Sequence, residues 1–422
     1  MLYKVLKWMR RLMPTLLCCF CLVLPAEDAS AEGTMDLGTD GYDTLAYADT
    51  LSDGRILLCG AQSAPGSYKE SSARLLCLNA DRTVSWEYLD TAADGGRFIY
   101  ARELDDGTVG AVYCRLVDYG RQENLAFRFF TPDGKPAGKE TVIPDPDSDG
   151  IQISGAARTC LTAYMSGDVE EDEFLLDWDG KRTAGLDISP NGLDRIEDGD
   201  GIVMTGMRYV PGEERTTAFL FKVDSRGTRL WETELPPVWT QTGLTLNHTV
   251  TRTEDGGYLV FEQMRAPSHR HGLYDFLSAL VKLDAEGNIL WTSKESFTDS
   301  LGMAKGAALA DGKGAACLLS YHENEMSERM DNPRTVIWFD EDGKSLGSAE
   351  MNLTPQDFSH LDGYIRQKAG RGEWTPMLYA EGIIPMEDGL WMLANVALVK
   401  NPDIPVAVGE SYDAVLIRLP EP

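Results

Sequence analysis

Thr253-Glu254-Asp255-Gly256-Gly257-Tyr258-Leu259-Val260-Phe261 sets a tight Asp/Gly turn before a short apolar run. Leu280-Val281-Lys282-Leu283-Asp284-Ala285-Glu286-Gly287-Asn288-Ile289-Leu290-Trp291 does the same between two such runs. Both read as β-hairpins, because Gly reaches positive φ without steric cost and the flanking runs suit pleated, half-buried strands. Together they form one four-stranded unit. Strand A is expected at Leu244–Arg252, B at Tyr258–Gln263, C at Ser278–Leu283 and D at Ile289–Lys294.

Working outward, the C–D turn recurs at Asn79–Thr83 before Trp86, at Thr131–Lys135, at Asp177–Lys181, at Asp224–Thr228 before Trp231, and at Asp340–Lys344. With Thr83, Gly134, Gly180, Gly227, Gly287 and Gly343 as markers, the intervals are 51, 46, 47, 60 and 56 residues. The A–B turn recurs at Asp53-Gly54, Asp106-Gly107, Asp200-Gly201, Asp255-Gly256, Asp311-Gly312 and Asp388-Gly389, and a further copy without Asp-Gly is implied between Ala156 and Tyr164. Four short strands repeating at roughly 55 residues are the signature of a β-propeller. The expected fold is therefore all-β, a propeller of seven four-stranded blades over residues 32–422. Trp86, Trp231 and Trp291 occupy one repeat position and are expected to be largely buried between blades.

The last unit has a B strand at Leu390–Ala394 and a C strand at Tyr412–Leu419, and the chain stops where D should begin. An unpaired outer edge is an aggregation hazard, so Thr34–Thr39 is expected to supply that strand and close the ring. An open stack of units is the alternative that keeps every hairpin. The Asp-x-x-Gly-x-x-x-Trp closing motif resembles the repeat of bacterial secreted propellers of the quinoprotein-like class. It is one residue shorter than the Asp-x-x-x-Gly-x-x-x-Trp turn of pyrroloquinoline-quinone dehydrogenase blades. The resemblance implies blade architecture and no chemistry.

The N-terminus carries Lys4, Lys7, Arg10 and Arg11, then an apolar run from Leu12 to Pro25 broken by Pro14 and Thr15, then Ala29-Ser30-Ala31. That order reads as a secretory signal peptide over residues 1–31, and its apolar run is shorter than the roughly 20 residues of a spanning helix. Its removal leaves a formal charge of −30. A surface so acidic repels phosphate backbones and anionic membranes, so no nucleic-acid partner is expected. The mature chain is expected to be extracellular, without a membrane span, and monomeric. Its cysteines are Cys59, Cys77, Cys114, Cys160 and Cys317, an odd and scattered set with no CxxC pair. Cys59 and Cys77 fall on neighbouring strands of the first unit, where an oxidising compartment would permit a disulfide.

Function is expected on the face of long, dissimilar B–C connections, with the 352–376 inter-blade connection on the same side, since long loops on a rigid scaffold are where binding resides. The plain alternative is loops that only tolerate length. One sector is locally basic: Arg265, His269, Arg270, His271 and Tyr274, flanked by Arg208, Tyr209 and Arg215 and by His322, Arg329 and Arg334. Arginines there suit bidentate contact with carboxylates or sulfates, although Glu213, Glu214, Glu323, Glu325 and Glu328 offer ordinary surface partners. Asp145, Asp147 and Asp149 with Gly150 match the first half of a calcium loop, but Ile153 and Ala156 stand where its later ligands belong. Calcium is thus the one cofactor to consider, and none is otherwise expected.

The stretch Leu246–Arg252 resembles aryl sulfotransferase-type propellers, and the resemblance implies that His248 faces the channel as a transfer residue; the alternative is a polar strand histidine. No GxSxG, Walker loop, HExxH or dinucleotide fingerprint occurs in a fitting context. The sequence favours a secreted, non-catalytic module that binds an extracellular or cell-surface ligand or protein. The alternative is a sulfotransferase-like or polysaccharide-active enzyme with its site at the central channel.

Overall fold

In the computed structural model the Asp/Gly turns close as hairpins of one design. In each C–D turn the amide of the fourth residue donates to the carbonyl of the first, as from Gly134 to Thr131, Gly227 to Asp224 and Gly287 to Asp284. The glycine takes positive φ, +83° at Gly287, and this is the left-handed position that ends a type I turn. In the first unit the same bond runs from Arg82 to Asn79. The repeat marker there is therefore Arg82 and not Thr83, and Arg82 holds φ +68° without being glycine.

The structure describes residues 34–39, 41–63, 71–90, 95–116, 122–143, 151–165, 173–186, 194–199, 201–210, 215–236, 244–267, 274–295, 301–308, 314–320, 334–350, 375–386, 388–399 and 412–420. Every regular element among them is a strand. None is a helix long and apolar enough to cross a membrane.

The strands are β1 (Thr34–Asp36), then β2 (Tyr42–Thr50), β3 (Ile56–Ser63), β4 (Ser71–Leu78) and β5 (Val84–Leu89) in a first sheet. The second sheet is β6 (Gly96–Glu103), β7 (Val109–Leu116), β8 (Gln122–Phe130) and β9 (Pro136–Val142). The third is β10 (Ile151–Ala156), β11 (Leu161–Met165), β12 (Glu173–Leu176) and β13 (Arg182–Gly185). The fourth is β14 (Arg195–Asp198), β15 (Gly201–Val210), β16 (Arg215–Asp224) and β17 (Arg229–Glu234). The fifth is β18 (Leu244–Arg252), β19 (Tyr258–Pro267), β20 (Tyr274–Leu283) and β21 (Ile289–Glu295). The sixth is β22 (Leu301–Ala308), β23 (Gly314–Ser320), β24 (Arg334–Phe339) and β25 (Ser345–Glu350). The last sheet is β26 (Thr375–Met386), β27 (Gly389–Val399) and β28 (Tyr412–Arg418), with β1 hydrogen-bonded outside β28 in the register Thr34 to Ile417. All pairs are antiparallel, every pair but β1–β28 joins consecutive strands, and the architecture is a β-propeller.

The core lies between sheets. Leu57, Leu75 and Cys77 of the first sheet meet Phe98 and Phe130 of the second. Phe127 meets Phe174 and Trp178; Leu175 meets Ile202 and Phe221; Leu220 meets Tyr258 and Val281. Leu45, Leu58 and Leu76 pack with Leu37, Trp391, Leu393 and Leu416 of the last sheet. Each such apolar side chain contributes roughly 1.5–3 kcal/mol on burial, so sheet-on-sheet contact carries most of the stability. The outer strands alternate exposed and half-buried residues, as in β5 and β9.

The closing tryptophans are half-buried, less than the sequence suggests. The reason is their partner. Each lies over the turn glycine of the next sheet: Trp86 over Gly134, Trp231 over Gly287 and Trp291 over Gly343. Trp86 also donates from Nε1 to the Pro132 carbonyl at 3.0 Å. One ring face is covered by backbone, and the rest stays at the rim. Where the last sheet meets the first, the roles invert. The Arg82 guanidinium stacks 4.4 Å from the centroid of the Trp391 ring and pairs with Asp388 at 2.6 Å, while Trp391 donates to the same carboxylate at 2.9 Å.

No disulfide joins Cys59 and Cys77, which are buried free thiols. Cys77 stands opposite Leu57, and Cys59 opposite Leu75. That diagonal separation of roughly 7–8 Å lies beyond disulfide reach. Burial also pushes the Cys77 thiol up to about 11. A non-reducing peptide map is expected to show both as unlinked peptides; a Cys59–Cys77 linked fragment would contradict the register.

Candidate functional site

Strands β2, β6, β10, β14, β18, β22 and β26 form the inner edges of their sheets, and six of these seven carry a β-bulge. The bulged residues are Ala46, Ile99, Ser154, Leu246, Ala304 and Glu381, each between two register-shifted pairs. A bulge adds one residue and re-aims the side chains that follow it. Its loose backbone groups need partners, and the neighbouring sheet supplies them. Asn395 accepts from the Leu45 amide at 2.9 Å and donates to the Leu45 carbonyl at 3.0 Å. Gln122 does the same for Ile153, at 2.8 and 2.9 Å.

Beyond the bulges, near the A–B turns, a charged constellation spans the first four sheets. Arg102 donates to the Tyr47 hydroxyl at 2.9 Å, to the Ala156 carbonyl at 3.2 Å and to Glu197 at 3.0 Å, and its Nε lies 3.5 Å from Asp49. The Arg158 amide donates to the same Glu197 oxygen at 3.2 Å, with its guanidinium at 3.8 Å. Tyr47 and Tyr100 meet edge to face at 5.2 Å, and Tyr100 donates to the Ser154 carbonyl at 2.9 Å. Behind them Arg195 pairs with the fully buried Glu173 and donates to the Ser154 carbonyl at 3.1 Å.

Burial raises the carboxyls of Asp49 and Glu197, and Arg102 opposes it in both. Burial also lifts Tyr100 to about 12. At Asp198 burial works in the same upward direction, but Lys222, Tyr258 and Arg252 outweigh it and hold the carboxyl low. Two carboxylates thus face two guanidiniums at the inner edges. Their chemistry is that of a matched ion-pair network that ties inner strands together. Among the described residues no group of three or more His, Cys, Asp or Glu side chains has the arrangement of a metal site.

These residues escaped the sequence reading. Asp49, Arg102 and Glu197 each stand a few positions before an A–B turn, on strands otherwise expected to be apolar. A charge recurring at that place was the available signal.

The sequence-derived basic sector lies at the other ends of the strands. Arg208 and Tyr209 fall in β15, Arg215 opens β16, Arg265 falls in β19 and Tyr274 opens β20. They are strand residues, not loop residues, because the ladders extend further than expected: Arg208 pairs with Thr217, Arg265 with Phe276 and Pro267 with Tyr274. The fourth and fifth sheets are neighbours, so the backbone brings these five positions to one end of adjacent sheets. His269, Arg270, His271, His322 and Arg329 lie outside the described residues, as do Asp145, Asp147 and Asp149 and residues 1–33. His248 sits on β18 opposite Glu262 in the backbone register.

No protein-family model matches the sequence, and no curated protein does. Solved structures similar to the chain include a puromycin hydrolase, with 12% identity over 89% of this chain and 56% of that one, TM-score 0.46. An α-L-arabinanase from Penicillium chrysogenum has 10% identity over 92% and 98%, TM-score 0.41. AztD from Citrobacter koseri has 11% identity over 89% and 87%, TM-score 0.39. The chain spans about half the length of the puromycin hydrolase and prolyl endopeptidase structures it matches. None of these likenesses assigns it a substrate.

Proposed function

We propose that the chain is a secreted, non-catalytic propeller that recognises an extracellular or cell-surface ligand or protein through its B–C hairpin face. In this reading the four-stranded sheets are seven blades of a ring closed by the N-terminal strand, in keeping with the quinoprotein-like resemblance of the repeat. One observation carries it: the B–C hairpins of the fourth and fifth sheets are ten-pair ladders, against four pairs between β11 and β12. A paired ladder is a stiff support. It fixes the backbone positions of Arg208, Tyr209, Arg215, Arg265 and Tyr274 at one end of adjacent blades, which lowers the cost of ordering the backbone on binding. The matched Asp49–Arg102–Glu197 network at the other end suits scaffolding better than turnover, since each charge already has its partner.

The test replaces Arg265, Arg270 and His271 together by Ala and compares this variant with Lys135, Lys181 and Lys344 changed together on the opposite face. Retention on dextran sulfate and on polygalacturonate, with neutral dextran as control, is expected to fall at least tenfold only in the first variant. Loss only in the second would overturn the face assignment. N-terminal sequencing of exported protein is expected to begin at Glu32.

A further inference from the structure

The joint between β1 and β28 contains three carboxyls and one guanidinium. Asp413, 2% exposed, has no hydrogen-bond partner at either oxygen, and Asp43, fully buried, has none at Oδ1. The Asp413 carboxyl fills the space where a side chain on Gly38 would begin, so the strand exit passes directly over it. Asp36, on β1 itself, brings its Oδ1 within 3.3 Å of the same position, so the two carboxyls border one small space. Asp43, on β2, accepts from the Thr39 amide at 2.6 Å and hydroxyl at 2.7 Å. Arg74, on β4, lies 3.6 Å from Asp43 but is shared with Glu87 of β5 at 2.7 Å and donates to the Leu37 carbonyl at 2.7 Å. Across the ladder, β27 offers only Val396 opposite Asp413. Two facing carboxylates repel, whereas a carboxyl and a carboxylate share a hydrogen bond.

We propose that the β1–β28 joint is locked by a proton held between Asp413 and Asp36, and that removing this proton releases Thr34–Leu37 from the last sheet. Burial first, then Asp36 and Asp43, push the Asp413 carboxyl up to about 9. An Asp on an undocked strand returns to about 3.9. The docked state therefore binds the proton more tightly between these two values. Docking is strongest below about pH 4, weakens by up to tenfold per pH unit as the pH rises to about 9, and levels off above.

The experiment measures amide hydrogen exchange of the full chain at pH 6, 7, 8 and 9, each rate divided by its intrinsic rate at that pH. The Leu37 amide, bonded to the Ala414 carbonyl at 2.8 Å, is expected to lose at least tenfold in protection across this range, while β19 amides stay constant. Asp413→Asn is expected to remove the pH dependence, and, should that variant fold poorly, Asp36→Asn is expected to reduce it, since burial and Asp43 still act on Asp413. An unchanging Leu37 protection in the wild type, or an unaltered slope in a folded variant, would overturn the proposal. So would restoration of protection at pH 9 by millimolar calcium, which would make the cluster a cation site instead.

Discussion

Replacing Arg102 by Met is expected to destabilise the protein by about 3–5 kcal/mol, the cost of leaving partners of a buried ion pair without compensation. Asp49 and Glu197 would each lose the nearer of the two guanidiniums that offset their burial, and the Tyr47 hydroxyl and Ala156 carbonyl would lose a donor. Four sheets are therefore affected through one side chain. Urea unfolding at neutral pH measures the loss. Lowering the pH below 5 should shrink it, since the orphaned carboxyls then protonate. A loss under 1 kcal/mol would mean that the network is solvated and holds little.

Gly287→Ala is expected to cost about 2–4 kcal/mol, for two separable reasons. Residue 287 holds φ +83°, which strains any L side chain by about 1–3 kcal/mol. The new methyl would also sit 2.6 Å from the Trp231 ring of the preceding sheet. In a Trp231→Ala background only the backbone part should remain, so the cycle isolates the contact between sheets. Equal costs in both backgrounds would show that the ring does not rest on the turn. Gly54 makes a control: it has φ +85° and open space around it, so its Ala variant should show strain alone.

The hairpins were legible because Asp/Gly turns and β-branched runs act locally. Strand A of the fifth unit was expected at Leu244–Arg252, and β18 has these bounds. The ends of the B and C strands were not legible. Arg265 and Tyr274 look like loop residues by composition, and only cross-strand pairing makes them strand. The Trp position was visible as a repeat, but its burial was not, since the partner is a backbone atom of the next unit some fifty residues away. Arg82 illustrates the opposite failure. A non-glycine at positive φ hid the true turn position, and only the Trp391 and Asp388 contacts explain its tolerance. The inner network eluded reading altogether, because Asp49, Arg102 and Glu197 meet only once sheets are set side by side.

The register of Thr34 against Ile417 also sets a timetable. The first strand of the domain leaves the ribosome roughly 380 residues before its partner, a wait of about 20–75 s at ordinary elongation rates. Until Ala414–Ile417 emerge, β1 has no hydrogen-bonding mate, and Leu45, Leu58 and Leu76 lack the apolar cover that Trp391, Leu393 and Leu416 provide. The sheet whose outermost strand is made first is thus the last to be completed. A nascent chain stalled anywhere before residue 412 leaves β1 unpaired, the kind of strand edge that holdase chaperones bind and that proteases find first.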